Sequence, residues 1–266
     1  MAWSTVAEFD DPRLDPYRRL KRTNDSARSG RFIAEGDKLV RRLLESRLRV
    51  ESVLVGGAYL KSFHDSLPPS TSGLVVDDAW IERLVGFNFH RGVLACGVRP
   101  RATTLDDVVP PAPDALRLVV CPNVQDPENL GAIIRLAKAF DVQALVLGPH
   151  CADPFSRRVQ RVSMAHVYRL PIVTTDDVAG LLATLRDRWG TESWGTVLAA
   201  DADVFGHRPA PQRLALVFGS EGHGLPPDVV AACDRRVTIP MPPDVDSLNV
   251  AATAAILLYG TRTPRT

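Results

Sequence analysis

The side chains best suited to chemistry lie in three short segments that are far apart along the chain. The first segment, NLGAIIRLAKAF, brings Asn129, Gly131 and Arg135 to the predicted start of a helix. Asparagine can cap a helix, glycine permits close approach of the backbone, and arginine carries a permanent charge. Taken alone, this segment is explained better by an ordinary strand-to-helix turn that Asn129 caps.

The second segment, LVFGSEGHGLPPDV, places three glycines within six residues after an apolar run, with Glu221 held between Gly219 and Gly224. Such a turn leaves main-chain groups exposed, and exposed amides and carbonyls suit the recognition of a flat heterocycle. Neither GK[ST] nor GxGxxG is present, so neither of the two common phosphate-binding loops is predicted here. The alternative is a tight connection without a ligand.

The third segment, VTIPMPPDVDSLNVAATAAILLYG, predicts a strand that ends at Ile239 and Pro240, a loop, and a helix capped by Ser247 that runs to Gly260. Asn249 stands at the start of this helix, where an amide is costly unless it meets a partner. The helix is apolar nearly all round, which predicts burial on several sides, and packing against a second copy of the chain is the simplest way to bury it.

A parallel sheet covered by helices is expected to position these segments. Helical patterns separate most of the compact apolar runs in the second half of the chain, which is typical of strands buried on both faces. The runs are LRLVVC, ALVLG, VYRLPIV, GTVLAA and LALVFG.

The first hundred residues predict a smaller α/β unit. GDKLVRRLLESRL has the period of a basic amphipathic helix, whereas VESVLVG, GLVVDD and GVLACGV resemble short strands and DAWIERLVG a helix between the last two. The proline-rich stretch RPRATTLDDVVPPAPDAL predicts an extended linker. The expected division is therefore a domain over 1–103, a linker over 104–115 and a second domain over 116–266.

Positive charge is concentrated near the start of the chain, although the whole chain carries a net charge of only +1. From Arg13 to Arg49 there are 12 Lys/Arg and 5 Asp/Glu, and 12 − 5 leaves +7 on that segment. A nucleic-acid phosphate backbone would select such a cluster, and a solvated helix face explains it equally well.

Several classes of protein are not expected. The longest apolar stretches are interrupted by prolines or charges, so no membrane span is predicted, and the first residues lack the pattern of a secretory signal, which favours the cytoplasm. Four scattered cysteines without CxxC spacing predict buried free thiols. The six histidines form no metal-binding pattern, so no metal is expected.

Together, the three chemical segments resemble the SpoU/TrmH family of RNA ribose 2′-O-methyltransferases, within the SPOUT class, over roughly residues 116 to 260. FIAEGDKLVRRLLES and FHRGVLACGV also resemble the L30e-like RNA-binding domain that precedes the catalytic domain in many members. The resemblance implies S-adenosylmethionine as cofactor, a catalytic domain with a deep trefoil knot, and a homodimer with its active site near the interface. Such a knot is a rare exception to the rule that chains do not thread, and periodicity could not predict it.

The resemblance also implies roles for individual residues. The adenosyl group would be held by Gly219, Ile239 and Leu248, with Leu198 and Ala199 beside it. The catalytic cluster would be Arg135, Glu221, Ser247 and Asn249, with Asn129 positioning the first helix. Contacts to RNA would come from Arg157, Arg158 and Arg161 in the family-like segment DPFSRRVQRVSMAHVYRLP, and from Arg41 and Arg42 on the basic helix. Glu128 and Ala165 occupy positions where glycine is common in the family, which puts the local loop shape in question.

The expected reaction is methylation of a ribose 2′-hydroxyl in structured RNA, with ribosomal RNA favoured over transfer RNA. Because a guanidinium stays protonated, Arg135 is expected to stabilise the developing alkoxide or clamp the adjoining phosphate, while water, phosphate or Glu221 accepts the proton. Two alternatives remain open: a non-catalytic RNA-binding or assembly protein on the same scaffold, and a nucleotide-dependent enzyme of another kind.

Overall fold

The structure is a computed structural model that describes residues 3–18, 20, 29–65, 67–86, 92–206 and 209–262. Part of the basic segment, namely Arg19, Lys21, Arg22 and Arg28, lies outside these residues, as do the first three residues of FHRGVLACGV. Two compact units divide the chain: unit 1 comprises 1–101 and 155–169, and unit 2 comprises 102–154 and 170–266.

The regular elements of the described chain are numbered in chain order. The strands are β1 (Trp3–Thr5), β2 (Arg31–Glu35), β3 (Val50–Gly56), β4 (Ser72–Val76), β5 (Val93–Val98), β6 (Leu116–Cys121), β7 (Ala144–Leu147), β8 (Ile172–Thr174), β9 (Glu192–Thr196), β10 (Asp203–Val204), β11 (Arg213–Val217) and β12 (Arg235–Thr238). The α-helices are α1 (Asp37–Leu44), α2 (Leu60–Phe63), α3 (Asp78–Val85), α4 (Leu105–Val108), α5 (Pro127–Ala139), α6 (Arg157–Val162), α7 (Val178–Trp189), α8 (Pro227–Ala232) and α9 (Val250–Thr261).

Unit 1 contains a mixed sheet with the order β1-β4-β3-β5-β2. β1, β4 and β3 run parallel, whereas β5 is antiparallel to both β3 and β2. On one face Tyr17 is fully buried, and its hydroxyl lies 2.7 Å from Ser52 Oγ. This burial raises the pKa of Tyr17 above its ordinary value.

The segment 155–169 belongs to unit 1 because its side chains complete that unit's interior. Gln160 is fully buried, and its amide nitrogen donates to the carbonyl oxygens of Ile33 at 3.0 Å and Phe155 at 2.6 Å. The ring of Phe32 lies 4.9 Å from that of Phe155, centre to centre. The segment was expected in the second domain, since no local sequence pattern indicates hydrogen bonds that span more than a hundred residues.

Unit 2 is built on a seven-stranded sheet with the order β10-β12-β9-β11-β6-β7-β8, and all its pairings are parallel. The expected α/β fold with a parallel sheet is confirmed. β6, β7 and β11 coincide with the apolar runs that predicted them. Two predictions were wrong in detail: VYRLPIV forms a strand only over Ile172–Thr174, and the strand expected over GTVLAA ends at Thr196, leaving Leu198 exposed by 66%.

The proline-rich stretch packs on unit 2, although an extended linker was expected. Leu105 and Val108 of α4 lie against the core of the unit. Arg213, only 8% exposed, donates to the carbonyl oxygens of Pro110 at 3.0 Å, Asp114 at 2.6 Å and Trp189 at 2.8 Å. One guanidinium therefore holds this stretch to the start of β11.

Candidate active site

A cavity of about 410 Å³ lies where the chain leaves three neighbouring strands of unit 2, β12, β9 and β11. The carboxyl ends of parallel strands are the usual place for a ligand in open α/β sheets. Apolar side chains supply much of the lining, among them Leu198, Leu225, Ile239, Leu248 and Leu257. Glu221, His223 and Ser247 add polar groups to the same wall.

The glycine-rich loop after β11 is folded tightly upon itself. Ser220 and Gly224 exchange two backbone hydrogen bonds of 3.2 and 2.9 Å, and Gly224 has a φ of +65°. A Cβ on Gly219 would lie 2.2 Å from the carbonyl carbon of Gly224, whereas a Cβ on Gly222 would meet open space. The loop therefore needs glycine at its base and presents an open tip to the cavity.

The two helix caps expected from the sequence are wrong. Asn249 caps α9, because its side-chain oxygen accepts from the backbone N–H groups of Ala251 at 2.9 Å and Ala252 at 3.3 Å, so Ser247 lies two residues before the cap. Asp126 caps α5, and Asn129 stands inside the first turn. Asparagine, aspartate and serine are all good caps, so each helix start offered two candidates within three positions of each other.

Asn249, Asn129 and Glu221 form a chain of side-chain hydrogen bonds that joins all three predicted segments. Asn249 Nδ2 donates to Asn129 Oδ1 over 2.9 Å, and Asn129 Nδ2 donates to Glu221 Oε1. The direction of these bonds is fixed, because the oxygen of Asn249 must face the helix N–H groups and its nitrogen must therefore face Asn129. Glu221 is thus held as the acceptor at the end of the chain.

Most of the other residues predicted for the site line the cavity, and two do not. Gly219, Ile239, Leu248 and Leu198 line the cavity, as do Glu221 and Ser247. Ala199 follows Leu198 but is not part of the lining. Arg135 is exposed on α5 and also lies outside the lining.

Arg41 and Arg42, predicted to contact RNA, engage neighbours within unit 1. Arg41 Nε lies 3.0 Å from Asp37 Oδ1, and its guanidinium stacks over the ring of Phe63 at 4.4 Å. Arg42 donates to the carbonyl oxygen of Met164. Both guanidinium groups are thus already bonded in the described structure.

Of Arg157, Arg158 and Arg161, the first and the last lie beside a buried acid. Glu35 is 4% exposed and lies 3.1 Å from Arg157 and 3.9 Å from Arg161. Arg158 is exposed. Arg157 therefore contributes to the interior of unit 1, and Arg158 has the best access to solvent of the three.

Sequence analysis missed Asn123, which stands two residues after β6. Its side-chain oxygen accepts from the backbone N–H of Ser220 at 3.1 Å, and its nitrogen donates to the carbonyl oxygen of Gly224 at 3.2 Å. The only available signal was its position after a strand predicted to be buried.

The described residues contain neither a membrane-spanning helix nor a metal-binding group. None of the helices described here is long and apolar enough to span a bilayer. Within the same parts of the chain, no group of His, Cys, Asp or Glu could hold a metal ion.

Comparison with known proteins links this geometry to a family. The profile of the SpoU rRNA Methylase family matches residues 117–259. The chain is 35% identical over 262 residues to an uncharacterised tRNA/rRNA methyltransferase of Mycobacterium tuberculosis, covering 96% of this chain and 90% of the relative. It is 34% identical over 194 residues to a 23S rRNA (guanosine-2′-O-)-methyltransferase of Nitrosomonas europaea, covering 72% of this chain and 74% of that one.

The same fold is found in a solved structure. An AdoMet-bound rRNA methyltransferase from Sinorhizobium meliloti superposes with a TM-score of 0.83, over 98% of this chain and 97% of that one, at 23% identity. At this identity the likeness establishes the fold.

Proposed function

The chain belongs to the SpoU rRNA methylase family, and we propose that it methylates a ribose 2′-hydroxyl of structured ribosomal RNA. It is an RNA methyltransferase, and S-adenosylmethionine is its methyl donor. The observation that carries the proposal is the hydrogen-bonded chain Asn249–Asn129–Glu221, which brings three distant segments together beside one cavity.

The cavity fits the methyl donor in size and in chemistry. Its volume of about 410 Å³ is within the usual range for small-molecule sites. Ile239, Leu248 and Leu225 offer apolar surface to a purine, and the bare backbone at Gly219 permits close main-chain contacts. We assign the adenosyl group to this pocket, with Leu198 at its rim and Ala199 beside it.

The bound cofactor supplies an electrophilic methyl group, so the protein's main task is alignment of the ribose hydroxyl. Asn249 and Asn129 hold Glu221 as an acceptor at the cavity wall, where its carboxylate can take the hydroxyl proton directly or through water. Ser247, on the same wall, orients the ribose. Arg135 has a fixed charge and an exposed position, which suit it to a phosphate or to the developing alkoxide of the substrate.

RNA binding is assigned to both units. We propose that residues 1–103 form most of an L30e-like RNA-binding domain, and that 116–266, apart from the segment 155–169 that belongs to unit 1, form the knotted catalytic domain. Arg158 is the preferred phosphate contact among the predicted arginines because it is exposed, whereas Arg41, Arg42, Arg157 and Arg161 are only partly exposed. A cytoplasmic location is part of the proposal.

One side of α9 exposes apolar side chains to solvent, and a homodimer would bury them. Val250, Ala254, Leu257 and Leu258 are buried within the chain, whereas Ile256 and Tyr259 are 41% and 57% exposed. Ala252 is exposed on the same stripe, at the spacing of one helix face. We propose that a second copy covers this stripe.

Calorimetry and methyl transfer test the function directly. We expect the purified chain to bind S-adenosylmethionine and to transfer a labelled methyl group to ribosomal RNA, at a ribose oxygen located by mass mapping. Asn129→Ala should lose most of the transfer, and Gln125→Ala, an exposed neighbour on the same connection, should keep it. Absence of heat and transfer would favour the scaffold protein, and transfer to transfer RNA alone would correct the substrate.

A further inference from the structure

We infer that Asn123 is a positioning residue that sets the affinity for the methyl donor by holding the base of the glycine-rich loop. This inference rests on the proposed function, since the donor pocket is the one assigned above. Asn123 lies outside the lining of that pocket, so its effect must pass through the residues that it binds.

The sheet places Asn123 beside the loop. β6 and β11 are paired in parallel, with Val120 opposite Val217, and Phe218 donates its N–H to the carbonyl oxygen of Val120 at 2.9 Å. The chain therefore leaves both strands at the carboxyl end of the sheet. Asn123 follows β6, and the glycine-rich loop follows β11.

Both ends of the Asn123 amide bind the loop at its base. Its oxygen accepts from Ser220 N at 3.1 Å, and its nitrogen donates to Gly224 O at 3.2 Å and lies 3.4 Å from Ser220 Oγ. Ser220 and Gly224 are the two residues that close the loop through their own backbone bonds. The amide offers a donor and an acceptor side by side for such a pair, which neither an apolar side chain nor a carboxylate does.

The connection between β6 and α5 thus reaches the loop at two points. Asn123 binds the base, where Gly219, Ser220 and Gly224 line the donor pocket, and Asn129 binds Glu221 at the tip. We assign donor binding to the contact of Asn123 with the loop base and the transfer step to the contact of Asn129 with Glu221. Without Asn123 the loop base is open in part of the population, and the free energy that the cofactor needs to close it lowers the affinity for the cofactor.

The inference predicts a separation of kinetic effects. Asn123→Leu, which has a similar size and no polar atoms, should raise the Kd and the KM for S-adenosylmethionine by about tenfold or more, as expected for two lost hydrogen bonds. Its kcat at saturating donor should change by less than about threefold, whereas Asn129→Ala should show the reverse pattern.

Asn123→Asp examines the amide itself. It keeps an acceptor for Ser220 N and turns a second acceptor toward Gly224 O, so its affinity should fall at least as far as that of Asn123→Leu. Gln125→Ala is the matched control on the same connection. Unchanged affinity in Asn123→Leu, with an original chain that binds and transfers normally, would overturn the inference and leave the proposed function intact.

Hydrogen exchange keeps the inference testable if the variants fail to fold. In the unsubstituted protein without cofactor, the amides of Ser220 and Gly224 should exchange slowly, because both donate within the closed loop base. Rapid exchange at both amides before cofactor is added would show that the base is not pre-formed and would contradict the role of Asn123.

Discussion

At the scale of single residues, the side chain of Asn249 has two roles, one for its oxygen and one for its nitrogen. Its oxygen caps α9, and its nitrogen orients Asn129 toward Glu221. The two tasks can be separated because aspartate is as good a cap as asparagine but has no nitrogen to donate.

Asn249→Asp should therefore keep the free energy of unfolding within about 0.5 kcal/mol of the original chain and lower methyl transfer at least about tenfold. Asn249→Ala should lose about 1 kcal/mol of stability as well, since the cap is gone. Urea unfolding and single-turnover transfer measure the two effects. Normal transfer in Asn249→Asp would show that the bond to Asn129 does not matter for the reaction.

At the scale of elements, Arg213 joins the start of β11 to the proline-rich stretch and to the end of α7 through three carbonyl oxygens. Arg213→Ala would leave these acceptors without a charged donor in a largely buried position. We expect the free energy of unfolding to fall by about 3 kcal/mol, because bonds to charged groups contribute about 1.5 to 3 kcal/mol each and are not additive.

The matched control is Arg188→Ala, which removes an exposed ion pair with Asp106. Exposed pairs contribute about 0 to 1 kcal/mol, so this variant should unfold almost as the original chain does. Equal effects of the two substitutions in urea titrations would contradict the role given to Arg213.

The elements that could be predicted are those with a strong local pattern. β6, β7 and β11 consist almost entirely of apolar residues, and α3 shows helical period, so each was placed close to its observed bounds. β2 was missed because its five residues RFIAE carry a charge at each end and do not alternate, and β10 has only two residues. The order of the strands has no local signature at all.

The candidate site was predictable in its residue types and less so in its geometry. The family resemblance brought Glu221, Asn129 and Asn249 together before their bonds were known. It could not show that Asn249 rather than Ser247 caps α9, since both are good caps separated by one residue. Asn123 escaped notice because its partners are backbone atoms about a hundred residues away, which leave no pattern in the sequence.

At the scale of the whole molecule, the exposed stripe on α9 bears on the state of association. Ile256→Asp places a charge in the middle of the stripe, and we expect it to convert a dimer into a monomer, since an unpaired charge in an apolar interface is costly. Sedimentation velocity at micromolar concentration measures the change. Thr184→Asp, on the exposed side of α7, should leave the mass unaltered, and a monomeric original chain would refute the dimer.

The four buried thiols make the free energy of unfolding depend on pH in the alkaline range. Burial raises the pKa of Cys151 to about 11 and those of Cys96 and Cys233 to about 12, and it raises that of Cys121 well above the ordinary thiol value. Well below a pH of about 8.5, the ordinary pKa of a thiol, both the folded and the unfolded chain keep these protons. Above about pH 8 the unfolded chain ionises first, so the free energy of unfolding should decrease as the pH rises from about 8 toward 12.

Reaction with Ellman's reagent gives a simple measurement of these thiols. At pH 8 the folded chain should react slowly at all four cysteines, and the chain in denaturant should react rapidly, because only the thiolate is nucleophilic. Fast modification of two or more thiols in the folded chain would show that they are accessible and ionised.

The membership of residues 155–169 in unit 1 has a consequence for synthesis. Gln160 fills the interior of that unit, so a nascent chain cannot complete its first unit until Arg169 has emerged from the ribosome, well after β6, α5 and β7 have been made. Completion of unit 1 therefore depends on a segment that is synthesised after the first two strands of unit 2. Unit 1 therefore cannot finish folding before synthesis of unit 2 has begun, as it could if the two units were consecutive in the chain.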